Sequence, residues 1–378
     1  MNRNWVIASG SIGAIAVGLI FWFALSETEP DWSLHIVVFN VGQADAIVML
    51  EPNGQTCVID AGRSSSSAEQ IADFLADEDE NGVGEITTVK LGFVTHYDLD
   101  HMGGGVEPLI NSGIEFSSVY DQGPSVKRSG ATRYTEYLQA VGDTNGNMLD
   151  DDPQGGNPFV RKKAKVGLHW KLGDAKIRCV AVRGDTKGTA HDQDLDPSVA
   201  NINENPGSIA LLITLGDFEF YTAGDQTSDD WKHEPDTEIA VVQSGVIGSE
   251  NDIDVIKVSH HGSDTSTGDA FVNALDPEVA VISSRFSTGG RLPKMVAIKQ
   301  LVENNVLVYV TGDGHDPQTG TFAQAGHSED DGFTPPADSV INNAGDIHIF
   351  VSADGSSYVV ESDGTWRQFS AVDSENLR

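Results

Sequence analysis

The chain has 378 residues, 39% of them hydrophobic, and carries 23 Lys plus Arg against 57 Asp plus Glu, a net charge of −34. That length supports one large domain or two modest ones with a real core. The charge excludes unaided binding of polyanions, which needs cations or a local basic patch; it suits either a salty medium, where screening shortens repulsion to a few ångströms, or a generically acidic secreted protein.

Residues 5–25 form the only long apolar run, with Arg3 before it and Glu27, Glu29 and Asp31 after it. Basic before and acidic after sets the N-terminus inside and the remainder outside. The run is close to the ~20 residues that span a bilayer, while Ala24-Leu25-Ser26 offers a small-residue cleavage site. The expectation is an exported protein. Residues 1–30 either anchor it in a membrane, at the cell surface or in the periplasm, or are removed as a signal peptide.

Further along, 34–40, 46–50 and 56–59 read as strands, with a Pro52-Asn53-Gly54 turn between the last two. Residues 67–76 have helical spacing, and 88–95 form a strand leading to His96. A polar, Gly/Asp-rich stretch over about 121–205 reads as a large irregular insertion. Strands resume at 208–215, 218–223 and 255–258. A short helix at 269–275, a strand at 279–283 and a helix at 295–304 follow. Strands at 306–311, 347–351 and 358–361 close a folded domain expected over 31–365, with a tail over 366–378. Interleaved strands and helices predict a layered α/β architecture. Cys57 and Cys179 lie in strand-like apolar runs, as buried thiols or as one disulfide.

Chemistry concentrates in Thr95-His96-Tyr97-Asp98-Leu99-Asp100-His101-Met102-Gly103-Gly104. Four metal-capable side chains follow one buried strand, where a loop can turn alternate residues into one pocket. Three other apolar strands end the same way: at Asp60-Ala61-Gly62, at Ala223-Gly224-Asp225 and at Ser259-His260-His261-Gly262-Ser263. A lone strand-end Asp is usually a turn former, but paired imidazoles there are uncommon without a metal or proton-transfer role. Together the four segments point to a shared polynuclear site.

This order of motifs resembles the metallo-β-lactamase superfamily, and within it the soluble hydrolase domain of the ComEC/Rec2 competence proteins. Asp98 stands where most of the superfamily has a second His. Phe39-Asn40-Val41-Gly42-Gln43-Ala44-Asp45-Ala46 and the stretch from Asn203-Glu204-Asn205 to Ser208 also resemble that group. The resemblance spans about 33–362, interrupted near 121–200, and implies an αββα sandwich with metals in a groove at the edge of two sheets. It assigns His96 and Asp98 to one divalent ion, Asp100, His101 and His260 to the other, and Asp225 to both. Asp60 would support the loop beside them, as a neighbour of the ligands or as a ligand itself. A hydroxide held between two ions would attack the substrate. Asp100 then serves at the reacting centre, and His261 contacts a phosphate or protonates the leaving group.

The first site lacks the superfamily's third His, so either Asn203, Asn205 or Glu204 supplies oxygen, a set that favours Mn²⁺ over Zn²⁺, or the first site is weak and the enzyme mononuclear. Asp77, Asp79 and Asn81 before Gly82 begin like a Ca²⁺ loop, but Thr88 stands where the closing Glu belongs; Asp143, Asn145 and Asn147 match less well. Both stretches also read as solvated acidic loops that Ca²⁺ would order. Twelve of the 23 Lys and Arg lie between Tyr120 and Ala190 and could guide an anionic substrate such as DNA, or pair with neighbouring acids. His169, His191 and His233 lie outside any motif. No protein partner is inferable. The expected function is an exported metal-dependent phosphodiesterase or nuclease. The alternatives are a lactonase, a β-lactamase-like hydrolase, or a metal-stabilised surface scaffold without catalysis.

Overall fold

The computed structural model describes residues 32–103, 105–150, 159–187, 203–228, 235–245, 247, 253–324 and 332–372. The anchor or signal peptide expected over 1–30 lies outside these residues, as do His191 and His233. No described helix is long and apolar enough to cross a membrane.

Two nine-stranded sheets make up the frame. The first takes β1 (Leu34–Val38), β2 (Ala46–Leu50), β3 (Thr56–Ala61), β4 (Leu91–Phe93), β5 (Val119–Asp121) and β6 (Arg161–Lys163) from the N-terminal half. The second takes β7 (His169–Leu172), β8 (Ala175–Val182), β9 (Asp185–Thr186), β10 (Ala210–Leu215) and β11 (Phe218–Thr222). It continues with β12 (Val255–Lys257), β13 (Val279–Ile282), β14 (Leu307–Val310) and β15 (Val340–Asn342). The chain then returns to the first sheet as β16 (Ile347–Val351), β17 (Ser357–Ser362) and β18 (Thr365–Ser370). The strand orders are β18-β17-β16-β1-β2-β3-β4-β5-β6 and β9-β8-β10-β11-β12-β13-β14-β15, with β7 also paired to β8.

Alternation of side chains along the strands explains the layering. Ile36, Ile47, Ile59 and Phe93 of the first sheet share one buried cluster with Ile177, Ile213, Phe220, Val255 and Val281 of the second. Val37, Val48 and Val58 face the other way, onto Ile71, Phe74 and Leu75 of the helix Ser65–Ala76. On the far side Leu212, Tyr221 and Ile256 meet Phe271 and Val272 of the helix Asp269–Leu275, and Ile298 and Leu301 of Met295–Glu303. The result is a helix–sheet–sheet–helix sandwich, the layered α/β architecture and αββα order expected. Each fully buried Val, Leu, Ile or Phe contributes about 1.5–3 kcal/mol.

Two expectations need correction. The stretch 121–205 is not an irregular insertion throughout, since it supplies strands to both sheets. In β8 Ala175, Ile177 and Cys179 point inward while Lys176 and Arg178 face outward, so charge on the outer positions hid a strand. The tail expected from 366 begins later, because β18 pairs with β17 along its full length. Cys57 and Cys179 are free and buried. Burial raises both thiols, Cys179 to about 12.

Against the motif segment that begins at Ser259, Glu238 lies fully buried on the helix Thr237–Gln243, its carboxylate accepting from the N–H groups of Thr267 (2.7 Å) and Gly268 (3.2 Å). Burial pushes its pKa up to about 8. The folded chain therefore holds this proton where the unfolded chain, with an ordinary Glu near 4.3, releases it. The stability it contributes is complete below about pH 4.3 and is lost as pH rises toward 8, by at most about 1.4 kcal/mol per pH unit. Glu238→Gln should flatten that slope in urea titrations between pH 5 and 8; an unchanged slope would assign it to other groups.

Candidate metal centre

The motif loops meet where the parallel strands end, the usual place for a ligand in an α/β sheet. The segment after β4 delivers His96, Asp98, Asp100 and His101. The turn after β11 delivers Asp225, and the segment after β12 delivers His260 and His261. Backbone bonds lock these loops together: Ile209 N–H donates to Thr95 O, and His260 N–H to Gly224 O, each at 3.0 Å. Gly224 adopts φ 51°, and a Cβ there would fall 2.5 Å from Thr95 Oγ1, so only glycine lets Asp225 turn inward at this point.

Four imidazoles are oriented alike, each with Nδ1 engaged outward and Nε2 turned toward Asp225. His101 Nδ1 lies 2.8 Å from Asp60 Oδ2, and His261 Nδ1 2.9 Å from the carbonyl of Ser283. Both acceptors require the proton on Nδ1, which leaves Nε2 as a lone pair. His96 Nδ1 faces Ser208 Oγ at 3.2 Å, and His260 Nδ1 faces Thr265 Oγ1 at 2.8 Å. Their Nε2 atoms divide between the two oxygens of Asp225. Oδ1 has His101 at 3.1 Å and His261 at 3.6 Å; Oδ2 has His260 at 3.7 Å and His96 at 3.8 Å. Asp98 Oδ2 adds a carboxylate 3.8 Å from His96, and Asp100 Oδ2 one 3.8 Å from His261.

These separations are those of neighbouring ligands on one small ion, since donors about 2.0–2.1 Å from a tetrahedral metal lie roughly 3.3 Å apart. The Nε2 atoms of His96, His101 and His261, with Oδ1 of Asp225, are buried and lack hydrogen-bond partners among the described residues. Atoms left this way cost stability unless something binds them. His96, His101 and Asp225 form one tight donor group, and Asp45, Asp225 and His261 another. A third group, Asp45, Asp60 and His101, uses His101 Nδ1. That nitrogen is committed to Asp60, and Asp45 is paired with Lys257, so the third group acts as a hydrogen-bonded support.

The division around Asp225 differs from the one drawn from the sequence. His260 shares Oδ2 of Asp225 with His96, and His261 stands beside Asp100 and His101. The cause is local: both residues adopt left-handed backbone, φ 49° and 53°, so strand alternation stops at Ser259. Asn205 reaches His260, its Nδ2 3.4 Å from Nε2, with its Oδ1 buried and without a partner among the described residues. Asn203 Oδ1 instead accepts from the Asn205 N–H at 3.3 Å. Glu204 turns away from the centre, its buried carboxylate accepting from Arg128 Nε at 2.8 Å and from Ser125 Oγ. Asp60 supports rather than faces the centre. Itself at φ 52°, it accepts from Thr95 N–H (2.8 Å), Thr95 Oγ1 (2.6 Å) and His101.

Asp45 and Lys257 are central residues that sequence reasoning passed over. Both are buried; Lys257 Nζ donates to Asp45, whose other oxygen lies 3.3 Å from His261 Nδ1. A lysine inside the apolar run Val255-Ile256-Lys257-Val258 was the available signal, because a buried ammonium requires an acidic partner. Two further cations border the centre. Arg63 Nη2 lies 3.0 Å from Asp100 Oδ2, and Arg128 binds Asp98.

Burial would lower His101 and His261, but Asp225 with Asp60 and Asp45 holds His101 well above the usual imidazole range, and Asp225 with Asp45 raises His261. Burial and the His101 charge hold His96 down to about 4, and burial lowers His260. Against its own burial, Asp225 is held well below the carboxylate range by His101, His260 and His261. Asp100 is lowered by His101 and His261, again against burial. The carboxylates that raise His101 and His261 would equally favour a divalent cation, which would compete with protons for their Nε2 atoms.

The acidic loops present no comparable donor set among the described residues. Asp77 caps its own turn at Asp79 N–H, and the Asn81 amide clips the carbonyls of Phe74 and Gly84. Asp143 accepts from the N–H groups of Asn147 and Met148 and from Arg161. In the basic stretch, Arg161 is itself buried, spent on Asp121 (2.6 Å) and Asp143 (2.7 Å); Arg128 is the cation it contributes to the centre.

No protein-family model matches the chain, and no curated protein matches it. Among solved structures, it aligns with a motif variant of a metallo-β-lactamase from Cronobacter sakazakii at 17% identity, over 56% of this chain and 70% of that one, with a TM-score of 0.33. A subclass B3 metallo-β-lactamase, MEM-A1, from a soil metagenome library aligns at 18% identity over 62% and 80%, with a TM-score of 0.34. The metallo-β-lactamase-fold protein YhfI from Bacillus subtilis aligns at 9% identity over 77% and 95%, with a TM-score of 0.39.

Proposed function

We propose that this protein is a metal-dependent phosphodiesterase of the metallo-β-lactamase superfamily, of the ComEC/Rec2 hydrolase type, acting as a nuclease outside the cell. The observation that carries the reading is the partition of four inward Nε2 atoms between the two oxygens of Asp225. His96, His260 and Asp98 would hold one divalent ion, His101, His261 and Asp100 a second, and Asp225 both. Two imidazoles on each side suit Zn²⁺ better than an oxygen-rich set would, and the carboxylates keep Mn²⁺ within range. Two such ions, when bound, acidify water between them and offset charge on phosphoryl oxygens.

The chain's own residues do the rest. Asp60, Ser283, Thr265 and Ser208 fix the four rings, so the donor atoms need little reorganisation on binding. Arg63 and Arg128 place one guanidinium on each side of the carboxylates, where the two non-bridging oxygens of a phosphodiester would find partners. A neutral lactone has no use for either. Export rests on the apolar run 5–25 with acidic residues behind it.

The full-length protein, loaded with Zn²⁺ or Mn²⁺, should cleave single-stranded DNA and p-nitrophenyl methyl phosphate. A lactone and a chromogenic β-lactam should react about 10²-fold more slowly or not at all, since the lactone is neutral and the β-lactam carries its single carboxylate away from the bond that breaks, so neither places two anionic oxygens at the reacting centre between the guanidiniums. Turnover of the β-lactam alone would refute the reading, and two bound ions with no hydrolysis of any substrate would favour the scaffold.

A further inference from the structure

A cleft of about 550 Å³ opens beside the centre, between the 41–43 turn that follows β1 and the 285–290 loop that follows β13. Its lining includes Arg63, Arg285, Phe286, Gln43 and Gly290. Arg63 fixes its position, since the same guanidinium that lines the cleft reaches Asp100 Oδ2 at 3.0 Å. One end of the cleft therefore abuts the candidate metal ligands. The walls are tied to each other: Ser287 Oγ donates to Gln43 Oε1 at 3.0 Å and accepts from Gly290 N–H at 3.2 Å. A Cβ at Gly290 would fall 2.4 Å from Gln43 Oε1, so glycine is what lets the loop close onto that side chain.

Arg285 is exposed and makes no hydrogen bond or ion pair among the described residues. The acid in its field, Asp313, is already engaged by His315 N–H and the Asn342 amide. On a chain of net charge −34, two guanidiniums in one cleft that leads to a carboxylate-rich centre call for an anionic occupant. Phe286 beside them is half-buried and supplies an apolar face. The volume lies within the range of small-molecule sites, roughly 300–1,000 Å³.

We propose that this cleft seats the nucleotide unit adjoining the scissile phosphodiester, with Arg285 on its outer phosphate and Phe286 against its base or sugar. The proposal rests on the phosphodiesterase reading and deepens it. A cation for the backbone beside a ring for the base is the combination that holds single-stranded nucleic acid with little sequence preference. Arg63, between the two subsites, would span the scissile and flanking phosphates.

The test compares two esters that release the same p-nitrophenol, the 5′-(p-nitrophenyl) ester of thymidine 3′,5′-bisphosphate, which keeps a flanking 3′-phosphate, and p-nitrophenyl methyl phosphate, on the full-length protein. It adds fluorescence anisotropy of a labelled single-stranded octanucleotide without added metal. Arg285→Ala and Phe286→Ala should each lower the ratio of kcat/KM for the thymidine ester over the methyl ester about ten-fold, chiefly through KM. Phe286→Trp should restore the ratio. Oligonucleotide affinity should fall about ten-fold, and the salt dependence for Arg285→Ala should lose about 0.7 of a unit in slope. Equal loss on both esters, or no change on either, would overturn the proposal. If the wild type binds the oligonucleotide through Arg285 yet hydrolyses neither ester, the phosphodiesterase reading fails and the cleft assignment stands. An oligonucleotide held equally by wild type and both alanine variants overturns the cleft assignment whatever the activity.

Discussion

Asp225→Ala should remove both ions at once and lower hydrolysis by about 10³-fold. Elemental analysis should find wild-type protein carrying metal and the variant carrying almost none. The reason is geometric, because each oxygen of Asp225 faces two imidazoles and neither set closes without it. Thermal melting with and without a chelator gives an independent reading. Chelation should lower the wild-type Tm and leave that of the variant unmoved. A variant that keeps half its metal would show that one side binds on its own, and would refute the bridging role.

The second large effect is expected at Lys257. Lys257→Met should destabilise the protein by about 3–5 kcal/mol, since it strands the buried Asp45 carboxylate without its ammonium. Asp45 would keep only His101, at 3.6 Å, and His261 as neighbours of opposite charge. Removing both partners, as in Asp45→Asn with Lys257→Met, should recover part of that loss, because an unpaired buried charge costs more than an absent pair. Urea denaturation measures all three variants. Additive losses would mean the two side chains act separately, contrary to the geometry.

The two variants also mark what could and could not be read from the sequence. Asp225 was legible because an apolar strand ending in Gly-Asp announces itself locally. So was the 96–101 cluster, and so were most strands, whose alternation needs no partner to be recognised. Asp45 was not, because its meaning lies 212 positions away in Lys257, and nothing in Gln43-Ala44-Asp45 says that its carboxylate turns inward. The places of His260 and His261 were hidden for another reason. Two successive left-handed residues break the rule that neighbours on a strand face opposite sides, and each such residue costs of order 1–2 kcal/mol, so only packing reveals them. β8 was obscured by its own lysine and arginine, which mark the outward face of a strand but read as a basic loop.

The sharing of Asp225 has a consequence for how the protein matures. The donors on one side of the sequence, 96 to 101, leave the first sheet, while Asp225, His260 and His261 leave the second. A chain folded only as far as the first sheet presents the early histidines and aspartates without the carboxylate that joins them. On the proposed two-ion reading, metal capture would therefore wait until the β12 segment and the first sheet have docked. Thereafter an ion present at about 100 times its Kd adds roughly 2.7 kcal/mol against reopening. If the proposed function holds, loading is a late checkpoint, and a truncated or half-docked chain would stay apo.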